Sequence, residues 1–246
     1  AHARVHARAG DVQVQVHLVS SQEMKKLQGE FNGRLFNSLG FPKKELAKVD
    51  HFFEGEVMGR KVGQMDRFYF YTEGERLRIG EDDWEILNTP GHCPNQFVFL
   101  QKEQKRIFGS DMLLAITPMP IIVEDVNNYG QPTRSLHELL ASFHRLLKFD
   151  IQMVYPGHGP IFVGANAMIE KQLARIEIRK EECLEAIKNG ISTPFQINRK
   201  MYPYQNMPPD FSGMFMILGY IDLLEEEGRI TKNYSEEGII TLHFRS

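Results

Sequence analysis

Residues 84–92 read WEILNTPGH, a strand-like run that ends in a Pro-Gly turn and a histidine. Alternating apolar and polar residues are typical of a half-buried strand. Gly91 lets the backbone turn closely, so the imidazole of His92 can point into a cleft at the edge of a sheet. A lone histidine after a strand is more often a solvated loop residue, so its interpretation as a metal ligand needs support from elsewhere in the chain.

Two later segments have the same form, a strand-like run followed by a ligand-type side chain beside glycine. Residues 108–111, FGSD, end in an aspartate that is costly to bury without a cation or a hydrogen-bond partner. Residues 155–160, YPGHGP, place His158 between two glycines. The simpler alternatives are Asp111 as the N-cap of a helix over 112–115 and His158 as part of a tight turn. Together, two imidazoles and a carboxylate are what a divalent transition metal binds, and an aspartate can bridge two ions.

The order TPGH, GSD and PGHGP, with strands between the motifs, resembles the metallo-β-lactamase fold superfamily over residues 12–164. The resemblance implies an α+β fold, the αββα sandwich of that superfamily. It also implies three roles: His92 binds the first metal, Asp111 bridges the two metals, and His158 completes the second site.

The first ligand motif of the superfamily, HxHxDH, has no intact copy in this sequence. Its remnant would be Ala1-His2, with alanine in place of the acid, which makes His2 a further metal-ligand candidate. His6 and His17 do not have the required spacing. Because the two opening strands of the fold are also missing, we expect the domain to be truncated at its N-terminus. We expect this 246-residue form to be a weak or inactive hydrolase if the gap is real.

Strand and helix patterns divide the chain into two predicted domains, a metal-hydrolase domain at 1–164 and a tail at 165–246. The first domain is predicted to contain, in order, a strand at 12–17, a helix at 22–39, short strands within 65–110, an amphipathic helix at 133–149 and a strand at 151–156. The tail is predicted as a linker helix to Lys188, then two helices and a β-hairpin. This order suggests a small winged-helix domain, similar to the extension of one branch of lactamase-like hydrolases.

The resemblance implies metal-assisted hydrolysis, in which a metal-bound hydroxide attacks a small ester, thioester or lactone. Two Zn²⁺ ions per intact chain fit the ligand types, and Mn²⁺ or Fe²⁺ accept the same ligands. The segment 115–130 is expected to line the cleft, with Ile116, Met119 and Cys93 as candidate substrate contacts. Its apolar residues favour a small ester over a phosphate backbone.

Two other functions stay open at this point. A metal-dependent ribonuclease or phosphodiesterase of the same fold would need a basic groove, whereas the lysine and arginine pairs of this chain are scattered. A non-catalytic or nucleic-acid binding protein would fit the missing ligands and the winged-helix pattern. However, the second tail helix is apolar and ends in three glutamates, which phosphates repel. We therefore interpret the tail as a packing element or a homodimer interface.

Composition agrees with an ordinary soluble globular protein and singles out no class of partner. Hydrophobic residues make up 42% of the chain and charged residues 25%, and the formal net charge of −3 singles out no polyanionic partner. No apolar run approaches the ~18 residues of a membrane span. Cys93 and Cys183 lie in different contexts, so a disulfide is not expected. These features predict a cytoplasmic protein with reduced thiols.

Overall fold

A computed structural model of the chain describes residues 3–6, 15–18, 21–46, 72–116, 131–203 and 211–245. Its strands, in chain order, are β1 (Ala3–His6), β2 (Gln15–Leu18), β3 (Arg76–Ile79), β4 (Asp82–Asn88), β5 (Phe97–Gln101), β6 (Arg106–Ser110), β7 (Met153–Pro156), β8 (Phe162–Val163), β9 (Ile230–Tyr234) and β10 (Ile240–Phe244). Its helices are α1 (Ser21–Ser38), α2 (Ser135–Leu146), α3 (Ala165–Lys188), α4 (Pro194–Met201) and α5 (Phe211–Glu226). None of the helices in these ranges is long and apolar enough to cross a membrane.

A six-stranded sheet is the centre of the molecule. Strands β3 to β8 lie side by side in chain order. The first four are antiparallel, as the punctuated strand pattern predicts, whereas β7 runs parallel to β6 and β8 returns antiparallel to β7. A parallel pair needs a crossover connection, and α2 lies in the one between β6 and β7. Because parallel strands end at the same edge, residues 108–111 and 155–158 emerge next to each other.

One face of this sheet packs against helices. Strand alternation turns Leu87, Val98, Ile107 and Val154 to the same side, where all four are buried. They belong to one buried cluster with the apolar stripe of α2, which consists of Leu136, Leu139, Phe143 and Leu146. Burying a side chain of this size contributes about 1.5–3 kcal/mol. The predicted amphipathic helix is thus confirmed, and its packing fixes α2 over the loops that follow β4.

The tail contains the predicted order of helices and hairpin. Helix α4 begins with Pro194 at its first position, and the Thr193 hydroxyl accepts a hydrogen bond from the Gln196 N–H, 3.4 Å away. Strands β9 and β10 form an antiparallel hairpin. The same buried cluster that lies under the sheet continues through α3, α4, α5 and the hairpin. The tail therefore shares its core with the sheet, across the boundary at residue 164.

Residues 35–41 also contact the tail. The Phe36 ring lies 6.2 Å from the Phe215 ring, and the Phe41 ring lies 4.6 Å from the Phe195 ring, measured between centroids. The Phe195 N–H donates to the Leu39 carbonyl at 3.0 Å. The end of α1 is thus packed between α4 and α5.

The N-terminal hairpin differs in part from the sequence prediction. The strand expected at 12–17 is observed at Gln15–Leu18, and it pairs antiparallel with Ala3–His6, a strand that was not predicted. The run ARVH carries two basic or imidazole side chains in four residues, so its pattern alone does not indicate a strand. Of the predicted strand at 65–72, only residue 72 is described. Residue 210, where the second tail helix is expected to start, lies outside the described residues.

Candidate metal centre

The first candidate ligand, Asp111, lies in a tight turn at the end of β6. Ser110 adopts a positive φ of 46°, a conformation that costs a non-glycine residue about 1 kcal/mol. The Gly109 carbonyl then accepts hydrogen bonds from Met112 N at 3.0 Å and Leu113 N at 3.1 Å. Residues 111–116 form turns and bends without a helix, so the alternative of Asp111 as a helix N-cap is wrong. The turn places the carboxylate beside the Gly157 backbone, with the side chain 26% exposed.

The second candidate ligand, His92, lies on the loop after β4, where α2 packs closely. A Cβ on Gly91 would lie 2.5 Å from the Leu139 Cα, so only glycine fits there. The Ser142 hydroxyl donates to the Pro90 carbonyl at 2.7 Å. The Thr89 N–H donates to the Gln96 carbonyl at 2.8 Å and closes the loop. Helix α2 therefore sets the position of the loop that carries His92.

The third candidate ligand, His158, follows β7 on the loop 157–160. The Gly157 N–H donates to the Ser110 carbonyl at 2.7 Å, which ties this loop to the Asp111 turn. A Cβ on Gly157 would lie 2.4 Å from Asp111 Oδ1. The requirement for glycine before His158, which the sequence indicates, is thus a close approach to the Asp111 carboxylate. The His158 side chain itself is 80% exposed.

The structure places the imidazoles of His92 and His158 on either side of the Asp111 carboxylate. His92 Nε2 lies 3.6 Å from Asp111 Oδ2, and His158 Nε2 lies 3.5 Å from Asp111 Oδ1. Each carboxylate oxygen of Asp111 thus faces a different imidazole, so one carboxylate serves both histidines. Among the described residues, no group of three or more His, Cys, Asp or Glu side chains has the geometry to hold a metal ion as it stands.

Asp111 Oδ1 is buried, and no hydrogen bond reaches it from the part of the chain that the structure describes. Its 3.5 Å separation from His158 Nε2 is longer than a good hydrogen bond. A buried carboxylate oxygen without a donor is costly. Two ligands of a tetrahedral zinc ion at about 2.0–2.1 Å each are separated by about 3.3–3.4 Å, close to the separations observed. The residues therefore fit a divalent cation.

Comparison with known proteins supports the same family. No family model matches the chain. It is 28% identical over 167 residues to the probable metallo-hydrolase YqjP of Bacillus subtilis, a match that covers 68% of this chain and 51% of that protein. It is also 28% identical over 125 residues to the atrochrysone carboxyl ACP thioesterase of Aspergillus fumigatus, over 51% of this chain and 34% of that protein.

Among solved structures, a metallo-beta-lactamase family protein of Thermus thermophilus matches with a TM-score of 0.70 and 19% identity, over 92% of this chain and 67% of that chain. The chain thus resembles metallo-β-lactamase superfamily proteins in sequence and shares their fold. It spans about half the length of YqjP, the first relative above. The α+β architecture with a six-stranded sheet is the one expected for this superfamily.

Cys93 lies half-buried beside His92 in this metallo-β-lactamase fold protein. Burial raises the pKa of its thiol; a hydrogen bond from the Asn95 backbone opposes the rise, and the charges of Asp111 and Glu138 add to it. The thiol is therefore protonated at neutral pH. Cys183 on α3 is fully buried, which raises the pKa of its thiol to about 12. Both cysteines are free, in agreement with the expected absence of a disulfide.

The other candidate site residues are Ile116, Met119 and His2. Ile116 lies five residues after Asp111 with its side chain 69% exposed. Met119 and His2 lie outside the described residues, so their proposed roles stay predictions. His137 on α2 pairs with Glu226, with its Nε2 2.8 Å from the Glu226 Oε2, and His144 is exposed on the same helix. Neither histidine is one of the side chains around the Asp111 carboxylate.

Sequence reasoning missed Gln96, which is buried between the loops of His92 and Asp111, with 5% of its surface exposed. With its side-chain oxygen facing the turn, Gln96 accepts hydrogen bonds from Asp111 N at 3.1 Å and Met112 N at 2.9 Å. This orientation satisfies both donors, whereas the reverse orientation satisfies neither. A polar residue at the start of a strand is usually solvated, so the sequence offers no signal of this contact.

Proposed function

We propose that this protein is a divalent-metal-dependent hydrolase whose metal centre includes His92, Asp111 and His158. The observation that carries the proposal is the buried Oδ1 of Asp111, which receives no hydrogen bond from the described residues, on a carboxylate that lies between two imidazole nitrogens from different loops. Zinc fits this donor set, and manganese or iron(II) accept it. A bound ion would supply a Lewis acid and an activated water at neutral pH.

The chain's own side chains favour water as the nucleophile. Cys93, the thiol beside His92, has a raised pKa and is a poor nucleophile in its protonated form. Asp111 is held by its turn so that both carboxylate oxygens face imidazoles, which leaves it suited to binding a cation rather than attacking a substrate. His92 and Asp111 are largely enclosed while His158 is open to solvent. Substrate would therefore enter from the His158 side.

A small ester, thioester or lactone is the substrate class we propose. Ile116 and Ile161 follow Asp111 and His158 on their loops, and both present exposed apolar side chains, 69% and 59% exposed. Such side chains suit an acyl chain better than a phosphodiester. The thioesterase named above supports the same class, since it is a relative with a stated thioester substrate type.

The tail at 165–246 has a separate proposed role. Its helix-helix-hairpin order and its shared core with α1 and α2 support a winged-helix-like unit that braces the hydrolase domain at 1–164. We place no nucleic acid on it, because its last helix buries most of its apolar length against α2, α3 and α4. The proposed partner is thus a small molecule at the metal centre.

Zinc titration calorimetry of the wild type and two variants tests the metal centre. Asp111→Asn keeps the shape but removes the charge shared by both histidines, and we expect it to lose zinc binding. His144→Ala is the matched control, since it removes an exposed imidazole from α2, and we expect wild-type affinity. A wild type that binds no zinc, or an Asp111→Asn variant that binds it equally well, would contradict the proposal.

Activity assays then separate the candidate functions. We expect zinc-dependent hydrolysis of short acyl thioesters or esters that is weak in this 246-residue form, abolished in Asp111→Asn and unchanged in His144→Ala. Hydrolysis of a model phosphodiester alone would favour the phosphodiesterase alternative. Stoichiometric zinc binding without hydrolysis of any of these substrates would favour a non-catalytic protein.

A further inference from the structure

Gln96 contacts both of the loops that carry enclosed candidate ligands. Its side-chain oxygen accepts from Asp111 N and Met112 N, at 3.1 and 2.9 Å. Its main-chain carbonyl accepts from Thr89 N at 2.8 Å, three residues before His92. One buried residue at the start of β5 is thus bonded through its side chain to the Asp111 turn and through its backbone to the His92 loop.

The Asp111 turn needs such support because its backbone conformation is unfavourable. Ser110 has a positive φ, which residues with a side chain rarely adopt. Met112 N shares its hydrogen between the Gly109 carbonyl, at 3.0 Å, and the Gln96 oxygen. Without the Gln96 oxygen, a buried backbone donor at Asp111 would lose its acceptor, and the turn could relax by moving the carboxylate.

Little movement of the carboxylate is tolerated on its other side. The Gly157 backbone leaves no room for a methyl group beside Oδ1, and the His158 loop is bonded to the same turn through Gly157 N and Ser110 O at 2.7 Å. A shift of the turn would change the separations of the carboxylate from His92 and from the Gly157 backbone. The position that Gln96 sets therefore matters to both carboxylate oxygens.

We infer that Gln96 is a positioning residue, which holds the Asp111 carboxylate in register with His92 for metal binding. The inference rests on the proposed metal centre. Removing a residue that hydrogen-bonds to a metal ligand commonly lowers metal affinity by about 10- to 100-fold. Gln96 touches neither metal nor substrate in this arrangement, so its effect is exerted through Asp111.

Gln101 provides a matched control at the other end of the same strand. It is also buried, with 6% of its surface exposed, and its Oε1 accepts a hydrogen bond from Gln104 N at 2.6 Å in the β5–β6 turn. The residue type, the burial and the kind of bond are the same. Gln101 lies at the opposite edge of the sheet from Asp111, so its loss affects stability without affecting the site.

The experiment compares Gln96→Leu, Gln96→Glu and Gln101→Leu by zinc calorimetry and by amide hydrogen exchange of the zinc-free proteins. In Gln96→Leu we expect zinc affinity to fall at least tenfold and the Asp111 and Met112 amides to exchange faster. In Gln101→Leu we expect affinity within twofold of the wild type, although the urea midpoints of both variants fall. Gln96→Glu keeps an acceptor for both amides and is expected to restore affinity to within about threefold.

Equal zinc affinities in Gln96→Leu and Gln101→Leu would overturn the inference and leave Gln96 a purely structural residue. If the wild type binds no zinc, the proposed function fails, and amide hydrogen exchange alone decides whether Gln96 holds the turn. Unchanged exchange of the Asp111 and Met112 amides in Gln96→Leu would then overturn the inference. If Gln96→Leu does not fold, Gln96→Asn and Gln101→Asn replace the pair, because the shorter amide cannot span the same distance.

Discussion

Gly157 leaves no space for a side chain beside the Asp111 carboxylate. A Cβ at this position would lie 2.4 Å from Oδ1 and 3.0 Å from the Ser110 carbonyl carbon. In Gly157→Ala we therefore expect the carboxylate to be pushed away from His158, with zinc affinity reduced at least tenfold. Zinc calorimetry on the purified variant measures this effect.

Gly159 is the control for this substitution, on the other side of His158. Its φ is +85° and nothing lies within 4 Å of a Cβ built on it. Gly159→Ala is expected to lose about 1 kcal/mol of stability through backbone strain, while zinc affinity stays within twofold of the wild type. Equal losses of affinity in both variants would show that the loop conformation matters, and not the contact with Asp111.

For individual residues, prediction from the sequence identified the candidate ligands but missed Gln96. Glycine beside a ligand-type side chain is a local signal, and it singled out His92, Asp111 and His158, which the structure places around one carboxylate. Their role as metal ligands stays a prediction. Gln96 was missed because its function depends on a contact between loops that are distant in sequence. No local pattern distinguishes a buried glutamine from a solvated one.

Between elements, the α2–α5 contact is tightest at Gly219. A Cβ there would lie 2.4 Å from the Leu136 Cβ. Gly219→Ala gains up to about 1 kcal/mol in helix propensity, but overpacking costs about 1–3 kcal/mol, so we expect a net loss of stability in urea unfolding. Gly33→Ala in α1 is the control, because nothing lies within 4 Å of that Cβ, and it is expected to stabilise by about 0.5–1 kcal/mol. A stabilised Gly219→Ala would contradict this helix packing.

The same helix pair carries an ion cluster at the last turn of α5. Glu226 on α5 accepts a hydrogen bond from His137 at 2.8 Å and pairs with Arg134. The His137 hydrogen bond, and then that of Arg134, holds the pKa of Glu226 below its ordinary value. The folded protein thus binds this proton more weakly than the unfolded chain does. The cluster stabilises the fold above the ordinary glutamate pKa of about 4.3, and that contribution is lost as the pH falls through the lower folded value.

Glu226→Gln tests this pH dependence. Because the pair is largely exposed, we expect the variant to be less stable than the wild type by under about 1 kcal/mol at pH ~6, with the difference shrinking as the pH falls below the ordinary glutamate pKa of about 4.3. Thermal unfolding of both proteins across this range measures the difference. A gap that persists in acid would indicate lost packing and not lost charge.

Elements with strong local signals were predicted well. The α3 pattern, the Thr193-Pro194 start of α4 and the alternation of the C-terminal hairpin all correspond to observed elements. Strand β1 was not predicted, because its four residues become a strand through pairing with β2, and pairing is not a local property. For the same physical reason the order of elements in the tail was predictable, whereas its packing against α1 and α2 was not.

Across the whole fold, the buried cluster crosses the boundary that the strand and helix patterns suggested at residue 164. We therefore expect the sheet and the tail to unfold together. The single tryptophan, Trp84, is buried on β4 and reports on the sheet, whereas far-UV circular dichroism is dominated by helices such as α3 and α5. Urea unfolding curves from the two probes are expected to coincide. Separate midpoints would show that the tail is an independently folding domain.

The two cysteines have a practical consequence for following this site in solution. Cys183 is enclosed in the core, whereas Cys93 is half-buried beside His92, so maleimide reacts first at Cys93, at a pH high enough to ionise its thiol, whose pKa burial raises. A fluorescent or nitroxide tag there would sit next to the metal centre, where a paramagnetic ion such as Mn²⁺ would broaden or quench its signal. Cys93 is thus a natural labelling position from which metal binding at the site can be followed spectroscopically.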